Sequence, residues 1–129
     1  MTTAGEQSFE LKLSYTGPDL GHHYWLLVAG EPRAYAKIYE HSGPQGTVLE
    51  LCDIETREGH RHRGYATELL AQLARGYGVE AVSHRGSYTA DGFSYIAPKL
   101  QRIGEPAAGP IHRPMTFVEN WECYGIRYC

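Results

Sequence analysis

The hydrophobic pattern changes its period near the middle of the chain, and this change most constrains the fold. Before residue 57, apolar and polar residues alternate along several segments that are separated by glycine- and proline-containing turns. Such alternation is typical of half-buried β-strands. From Tyr65 to Tyr77, apolar residues recur every three or four positions, which predicts an amphipathic helix. Strands that give way to a helix favour a sheet with a crossover helix.

The pattern predicts the order β-β-β-β-α-β-α-β-β. The first four strands are predicted over residues 8–15, 23–29, 33–41 and 47–56, and the second and third form a hairpin. A helix over 64–77, a short strand over 79–84 and a second helix from Thr89 or Asp91 to about Arg102 follow. Residues 115–121 and 123–129 are predicted as the last two strands. The predicted fold class is therefore α/β (α+β), a mixed, twisted sheet around a central βαβ unit.

The fourth predicted strand is apolar on both faces, which is typical of a central strand covered on both sides. Cys52 lies in this strand, and we expect it to be buried in the core. The chain has three cysteines and no CxxC pair. An odd number of separated cysteines favours reduced thiols over a disulfide scaffold.

Length and composition exclude several classes of protein. The chain has 129 residues, of which 42% are hydrophobic and 21% charged, and we expect one globular domain over residues 1–129. The net charge of −3 disfavours a general nucleic-acid coat. No apolar run reaches the roughly 18 residues of a membrane helix, and no signal peptide is evident, which predicts a cytoplasmic protein. The pairs His22–His23 and His60–His62 have no cysteine or carboxylate set that would complete a metal site, so no metal site is predicted.

The segment over residues 57–66 joins the fourth strand to the first helix and carries most of the chemical information. It is rich in arginine and histidine, and Gly64 stands at the start of the helix. Helix N-termini expose backbone N–H groups and the positive end of the dipole, which stabilise phosphate. Arg61 and Arg63 add charge-assisted hydrogen bonds. The segment predicts a diphosphate site, although neither a Walker loop nor GxGxxG is present.

Arg61-x-x-Gly64-x-Ala66 resembles the Gln/Arg-x-x-Gly-x-Gly/Ala motif of the Gcn5-related N-acetyltransferases (GNAT), and the resemblance covers residues 9–100. It implies a GNAT-like acyl-CoA N-acyltransferase fold and acetyl transfer from acetyl-CoA, as co-substrate, to an amine. The form is minimal, because residues 15–22 are too few for the two helices that fuller members place between their first two strands. Two alternatives stay open. One is a catalytically silent CoA-binding or partner-binding module, and the other is an RNA or peptide binder that uses the arginines.

The resemblance also implies which residues bind acetyl-CoA. The end of the fourth strand would contact pantetheine, and the following segment would hold the diphosphate. These residues are Ile54, Glu55 and Thr56, followed by Arg61, His62, Arg63, Gly64, Tyr65 and Ala66. The implied reaction is direct attack of a neutral amine on the thioester, with backbone N–H groups of the fourth strand polarising the carbonyl.

A general base must take the proton of the amine, and the fourth strand offers three carboxylates. Asp53 and Glu55 are equal candidates, and Glu50 is weaker. Glu50 and Asp53 share a face only if the strand contains a β-bulge. His84, at the end of the next strand, is a further candidate because histidine titrates near neutral pH.

The acid that protonates the leaving thiolate is often a tyrosine in this family, and Tyr95 is the residue that the resemblance implies. Ile96 stands where relatives with Thr-x-Asp-Gly carry that tyrosine. Tyr88 and solvent are therefore the alternatives.

The missing helices imply an open acceptor face. An open face suits a large acceptor, such as a protein lysine, a protein N-terminus or an RNA base, so that tRNA stays open as an acceptor. A small-molecule acceptor would suit a site completed by a homodimer, with the last two predicted strands at the interface.

Overall fold

The computed structural model describes residues 8–44, 46–60, 63–84, 101–102 and 117–125. In these residues, six strands form one sheet in chain order. The strands are β1 (Phe9–Thr16), β2 (His22–Val28), β3 (Glu31–Gly43), β4 (Gly46–Thr56), β5 (Ser83–His84) and β6 (Gln101–Arg102), and the helices are α1 (Tyr65–Tyr77) and α2 (Phe117–Tyr124). No helix of this described part is long and apolar enough to cross a membrane.

The predicted βαβ unit is confirmed. Strands β1 to β4 pair antiparallel, whereas β4 pairs with β5, and β5 with β6, in parallel. Helix α1 is the crossover that a parallel β4–β5 pair requires. The predicted β2–β3 hairpin is also confirmed, and its two turn residues, Ala29 and Gly30, have φ values of 52° and 83°. Two positive φ values match the twist of a tight hairpin.

Helix α1 covers one face of the sheet, which we call the α1 face. Its buried residues recur at the predicted helical spacing and pack on alternate residues of β2, β3 and β4. The core on this face contains Leu26, Val28, Ala34, Ala36, Ile38, Leu49, Tyr65, Leu69, Leu70, Leu73 and Val82. Each fully buried leucine or isoleucine contributes about 1.5–3 kcal/mol relative to an exposed one.

Helix α2 covers part of the opposite face, which we call the α2 face. Trp25 of β2 and Tyr35 of β3 are buried beneath Phe117 and Trp121. The Trp25 indole N–H donates to the Tyr124 carbonyl at 3.1 Å, so the end of the helix is tied to the sheet. Helix α2 therefore closes part of the α2 face.

Three predictions about the second half of the chain are wrong. Residues 117–124 are helical and not part of a strand, because Phe117, Trp121 and Tyr124 have the i, i+4, i+7 spacing of a helix face. Residues 101–102 pair in β6 and do not end a helix. Strand β5 is shorter than predicted, because the chain first turns through the α1 C-cap, Gly78, whose φ is 70°. Residues 85–100 and 126–129 lie outside the described residues.

Irregular pairing also changes the edge of the sheet. The alternation of β1 is interrupted by a register shift between Leu13 and Tyr15. Ser14 is buried, whereas the preceding Leu13 is 45% exposed.

Candidate active site

Helix α1 begins at a glycine that leaves its N-terminus open. Gly64 is the N-cap, with φ 82°, and no side chain caps the helix. The Glu68 N–H donates to the Gly64 carbonyl at 2.9 Å, which is the first bond of the helix. The preceding N–H groups have no partner within the helix and point along its axis. A Cβ built on Gly64 meets nothing within 4 Å, so there is space for a ligand at this end.

Positive charge surrounds this helix end. The Arg57 N–H donates to the Arg33 carbonyl, and the His60 N–H donates to the Arg57 carbonyl, each at 3.0 Å. Loss of hydration, together with Arg33, Arg63 and Arg57, holds the pKa of His60 below its usual value. The His60 Nδ1 is buried and has no hydrogen-bond partner in the described part of the chain. A diphosphate fits this set of groups, since it supplies negative charge and acceptor oxygens.

The other residues of the predicted diphosphate site differ in what they offer. The side chain of Tyr65 is buried on the α1 face, where its ring lies 6.4 Å from the ring of Phe9. Tyr65 therefore offers its backbone to a ligand while its ring packs in the core. Ala66 is half-buried in the first turn of α1. Arg61 and His62 lie outside the described residues.

A β-bulge in β4 determines which of its side chains share a face. Ile38 of β3 pairs with Leu51, whereas the preceding Lys37 pairs with Asp53, so Cys52 is the extra residue. The bulge turns Cys52 out of the core, and the residue is exposed although we predicted it to be buried. The expectation that β4 is covered on both sides is thus wrong for the α2 face.

The same bulge brings three carboxylates to the α2 face. Residues directly opposite each other on paired strands share a face. Glu50 is opposite Tyr39, Asp53 is opposite Lys37, and Glu55 is opposite Tyr35. These three β3 residues alternate with Ala34, Ala36 and Ile38 of the α1 core. Glu50, Asp53 and Glu55 therefore lie on one face. From the sequence, Glu50 and Asp53 were expected to share a face only if the strand contained a β-bulge, and the structure contains one.

Asp53 has an environment suited to proton transfer. Burial raises the pKa of its carboxyl group, although a backbone hydrogen bond from Ile54 and the charge of Lys37 act in the opposite direction. A carboxylate whose pKa is raised toward neutrality is a better general base. Burial and then the negative charge of Asp53 raise the pKa of the Tyr35 hydroxyl, which is 1% exposed.

A second polar group on this face joins the β1–β2 turn to β3. The Asp19 carboxylate accepts hydrogen bonds from the Lys37 ammonium at 2.9 Å and from the Tyr39 hydroxyl at 2.8 Å. The Gly21 N–H donates to its other oxygen at 3.0 Å. The Lys37 hydrogen bond is the main reason why the pKa of Asp19 is well below its usual value. These bonds fix the short β1–β2 turn.

A buried histidine lies between this turn and α2. His23 Nδ1 and the Tyr35 hydroxyl share a hydrogen bond of 2.5 Å. The His23 ring is 4% exposed and stacks on Tyr124 of α2 with ring centres 4.1 Å apart. Burial lowers the pKa of His23 to about 4, so its imidazole is neutral at neutral pH. His23 and Tyr35 were not identified as site residues from the sequence. The signal that could have identified them was a histidine within the apolar strand β2.

The remaining candidates are only partly placed. Glu50 pairs with Ser83 in the parallel β4–β5 ladder, and His84 is the next residue of β5. Ile54 is half-buried and packs against the α1 core, and Thr56 pairs with Ala34. Tyr95 and the alternative Tyr88 lie outside the described residues. Within those residues, no group of three or more His, Cys, Asp or Glu could hold a metal ion.

Several solved structures that share this fold are acetyltransferases. A ribosomal-protein-alanine N-acetyltransferase from Brucella melitensis biovar Abortus 2308 has a TM-score of 0.53 at 15% identity, over 75% of this chain and 72% of that one. An aminoglycoside acetyltransferase from an uncultured soil metagenomic sample, solved with trehalose, has a TM-score of 0.52 at 11% identity, over 74% and 66%. A second such enzyme has a TM-score of 0.52 at 20% identity, over 73% and 66%. The chain thus spans just under two thirds of these aminoglycoside acetyltransferases.

The family assignment comes from the sequence. No curated protein matches the chain. The sequence model of the acetyltransferase (GNAT) family matches residues 3–87, which is more than half of the chain's 129 residues. This match confirms the resemblance that the Arg61-to-Ala66 motif indicated, and the shared fold agrees with it. The chain therefore belongs to the acetyltransferase (GNAT) family and is an N-acetyltransferase family enzyme.

Proposed function

We propose that this enzyme transfers the acetyl group of acetyl-CoA to a primary amine of a protein, either a lysine or an N-terminus. The observation that carries the proposal is the glycine-capped N-terminus of α1, set between a basic turn and a parallel β4–β5 pair. The backbone N–H groups after Gly64, together with Arg33, Arg57 and Arg63, would hold the diphosphate. Arg61 and His62 complete the proposed set.

Bound acetyl-CoA supplies an activated thioester. The backbone of Ile54, Glu55 and Thr56 would align the pantetheine, and β4 N–H groups would stabilise the oxyanion. Asp53 would accept the proton of the attacking amine, directly or through water. Its half-buried position on the α2 face and its raised pKa support this role. Glu55 and His84 are the competing bases, and Tyr95, Tyr88 or solvent would protonate the thiolate.

The α2 face also bears on the proposed acceptor. Helix α2 covers Trp25 and Tyr35, whereas Cys52 and the Asp19 carboxylate remain exposed. An amine presented by a protein could reach this uncovered part without entering a closed pocket. The aminoglycoside acetyltransferases of the same fold make aminoglycosides the competing acceptor class. A panel of peptides and aminoglycosides at equal acetyl-CoA concentration separates the two.

Two glycines of α1 provide a matched test of acetyl-CoA binding. Gly64 and Gly78 cap opposite ends of the helix, both have positive φ, and a Cβ at either meets nothing within 4 Å. Gly64→Val and Gly78→Val therefore carry similar backbone strain, roughly 1–2 kcal/mol each. Acetyl-CoA at about 100 times its Kd should stabilise the wild type by about 2.7 kcal/mol.

We expect this thermal shift in the wild type and in Gly78→Val, but not in Gly64→Val. An equal thermal shift in both variants would contradict the assignment of the diphosphate site to the N-terminus of α1. No shift in the wild type at millimolar acetyl-CoA would contradict the proposed function. Binding without turnover of any acceptor would favour a silent CoA-binding module.

A further inference from the structure

The turn between β4 and α1 contains a histidine, His60, whose surroundings disfavour the protonated imidazole. His60 lies four residues before the α1 N-cap, and its ring centre is 6.5 Å from that of Tyr65. Its Nδ1 is buried and has no partner among the described residues. A protonated imidazole at this position would carry an N–H without an acceptor, and such a group is costly.

The charges that act on His60 come from three parts of the described chain and are all positive. Arg33 belongs to β3, Arg57 to the start of the turn, and Arg63 to the residue before the α1 N-cap. Tyr65, of the first helical turn, presents an uncharged ring. Repulsion from three guanidinium groups adds to the cost of ionising the imidazole. The unpaired N–H and the repulsion from the guanidinium groups both disfavour protonation only while no anion is bound at this site.

We propose that the His60 imidazole takes up a proton when the diphosphate of CoA binds, so that CoA binds more tightly as the pH falls. The inference rests on the proposed function, because it needs the diphosphate at this end of α1. The bound anion would offset the guanidinium charges and supply acceptor oxygens near the imidazole. One solvent proton adds to the lone pair of a ring nitrogen, and no covalent bond of the ligand changes.

The linkage has a defined sign. The pKa of His60 is lowered in the free protein, and a bound anion raises it. Between these two pKa values, the complex holds more protons than the free protein. The affinity for CoA then rises with falling pH by at most about tenfold per pH unit, and it is independent of pH above both values.

The experiment measures the proton directly in the full chain. The His60 imidazole resonances are titrated by NMR with and without saturating CoA, and His60→Asn assigns them. Dephospho-CoA replaces CoA in a second series, because it keeps the diphosphate but lacks the titrating phosphomonoester. Calorimetry in two phosphate-free buffers of different ionisation enthalpy counts the protons bound, with His41→Asn as a control on an exposed histidine of β3.

We expect both ligands to move the His60 titration midpoint to higher pH. Proton uptake should approach about one per chain in the wild type and in His41→Asn, and should be lost in His60→Asn. Binding heat with an unchanged or lower His60 midpoint would overturn this inference and leave the proposed function standing. The absence of binding heat at every pH would overturn both.

Discussion

The two faces of the sheet are built on different principles. On the α1 face, alternate apolar residues of β2, β3 and β4 meet an amphipathic helix that follows β4 closely in the chain. On the α2 face, buried polar groups such as Ser14, His23 and Asn120 are found together with a helix that is distant in sequence. The alternation of apolar residues within single segments is therefore sufficient to predict the α1 face. The face that carries the proposed chemistry depends on a bulge and on long-range contacts.

The largest effects should come from the buried residues on which each helix rests. Trp25→Ala on the α2 face should cost about 3–5 kcal/mol, and Leu69→Ala on the α1 face about 2–5 kcal/mol, because both side chains are fully buried. Urea unfolding measures both losses.

The same pair of variants should differ in what is lost locally. Helix α2 has eight residues, too few for stability without packing, so Trp25→Ala should remove hydrogen-exchange protection over residues 117–124. Leu69→Ala should instead weaken acetyl-CoA binding, because it loosens the helix that carries Gly64. Equal effects of both variants on acetyl-CoA binding would contradict the proposal that the α1 face alone supports the acetyl-CoA site.

The next effect concerns acid stability of the α2 face. The folded pKa of His23, about 4, is lower than the 6.5 of an unfolded histidine, so the unfolded state binds more protons between these values. The contribution of His23 is complete above pH 6.5 and declines as the pH falls toward 4, by about 3 kcal/mol in total. Unfolding free energies measured across this range should decline less steeply in His23→Phe than in the wild type.

His22 provides the matched control, because it lies next to His23 but bonds to the Thr16 hydroxyl in an exposed position. The decline in stability that His23 causes should persist in His22→Phe, because the contacts of His23 with Tyr35 and Tyr124 remain. If His23→Phe and the wild type lost stability in parallel, burial of the imidazole would not be the cause.

The smallest effect in free energy is expected at the carboxylates of β4. Asp53→Asn should lower kcat by about 10²-fold or more, since it removes the proposed base with little change in shape. This corresponds to about 2.7 kcal/mol of activation free energy. Glu50→Gln, on the same face, should change kcat only slightly.

The competing base is tested with the same assay. Loss of turnover in Glu55→Gln but not in Asp53→Asn would assign the base to Glu55. An unchanged pH–rate profile in both variants would point to His84 or to water.

Local pattern was sufficient for much of the fold. The first four strands, the β2–β3 hairpin and α1 were predicted within a few residues of their observed ends, because each has a clear period and a turn at its boundary. The prediction failed at residues 117–124, where a short helix was interpreted as a strand. A segment of eight residues holds only two helical turns, and the residues on which it packs, such as Trp25, lie far away in the chain.

Part of the candidate site was also predictable from local sequence, and part was not. Gly64 and the basic residues around it were identified from sequence, because a glycine at a helix start is a local signal. Asp53 and Glu55 were identified as candidate bases, but the face that they share with Glu50 was not. The contacts of His23 with Tyr35 and Tyr124 were not foreseen either.

The sequence by itself determined the family, the order of the central strands and helix, and the position of the proposed diphosphate site. These depend on residues close together in the chain, where spacing and backbone conformation are enough. Only the tertiary structure decided the shared face of the β4 carboxylates, the exposure of Cys52 and the packing of α2 on Trp25. A bulge is a property of two paired strands, and the burial of a side chain depends on what packs against it. Neither is present in a single segment.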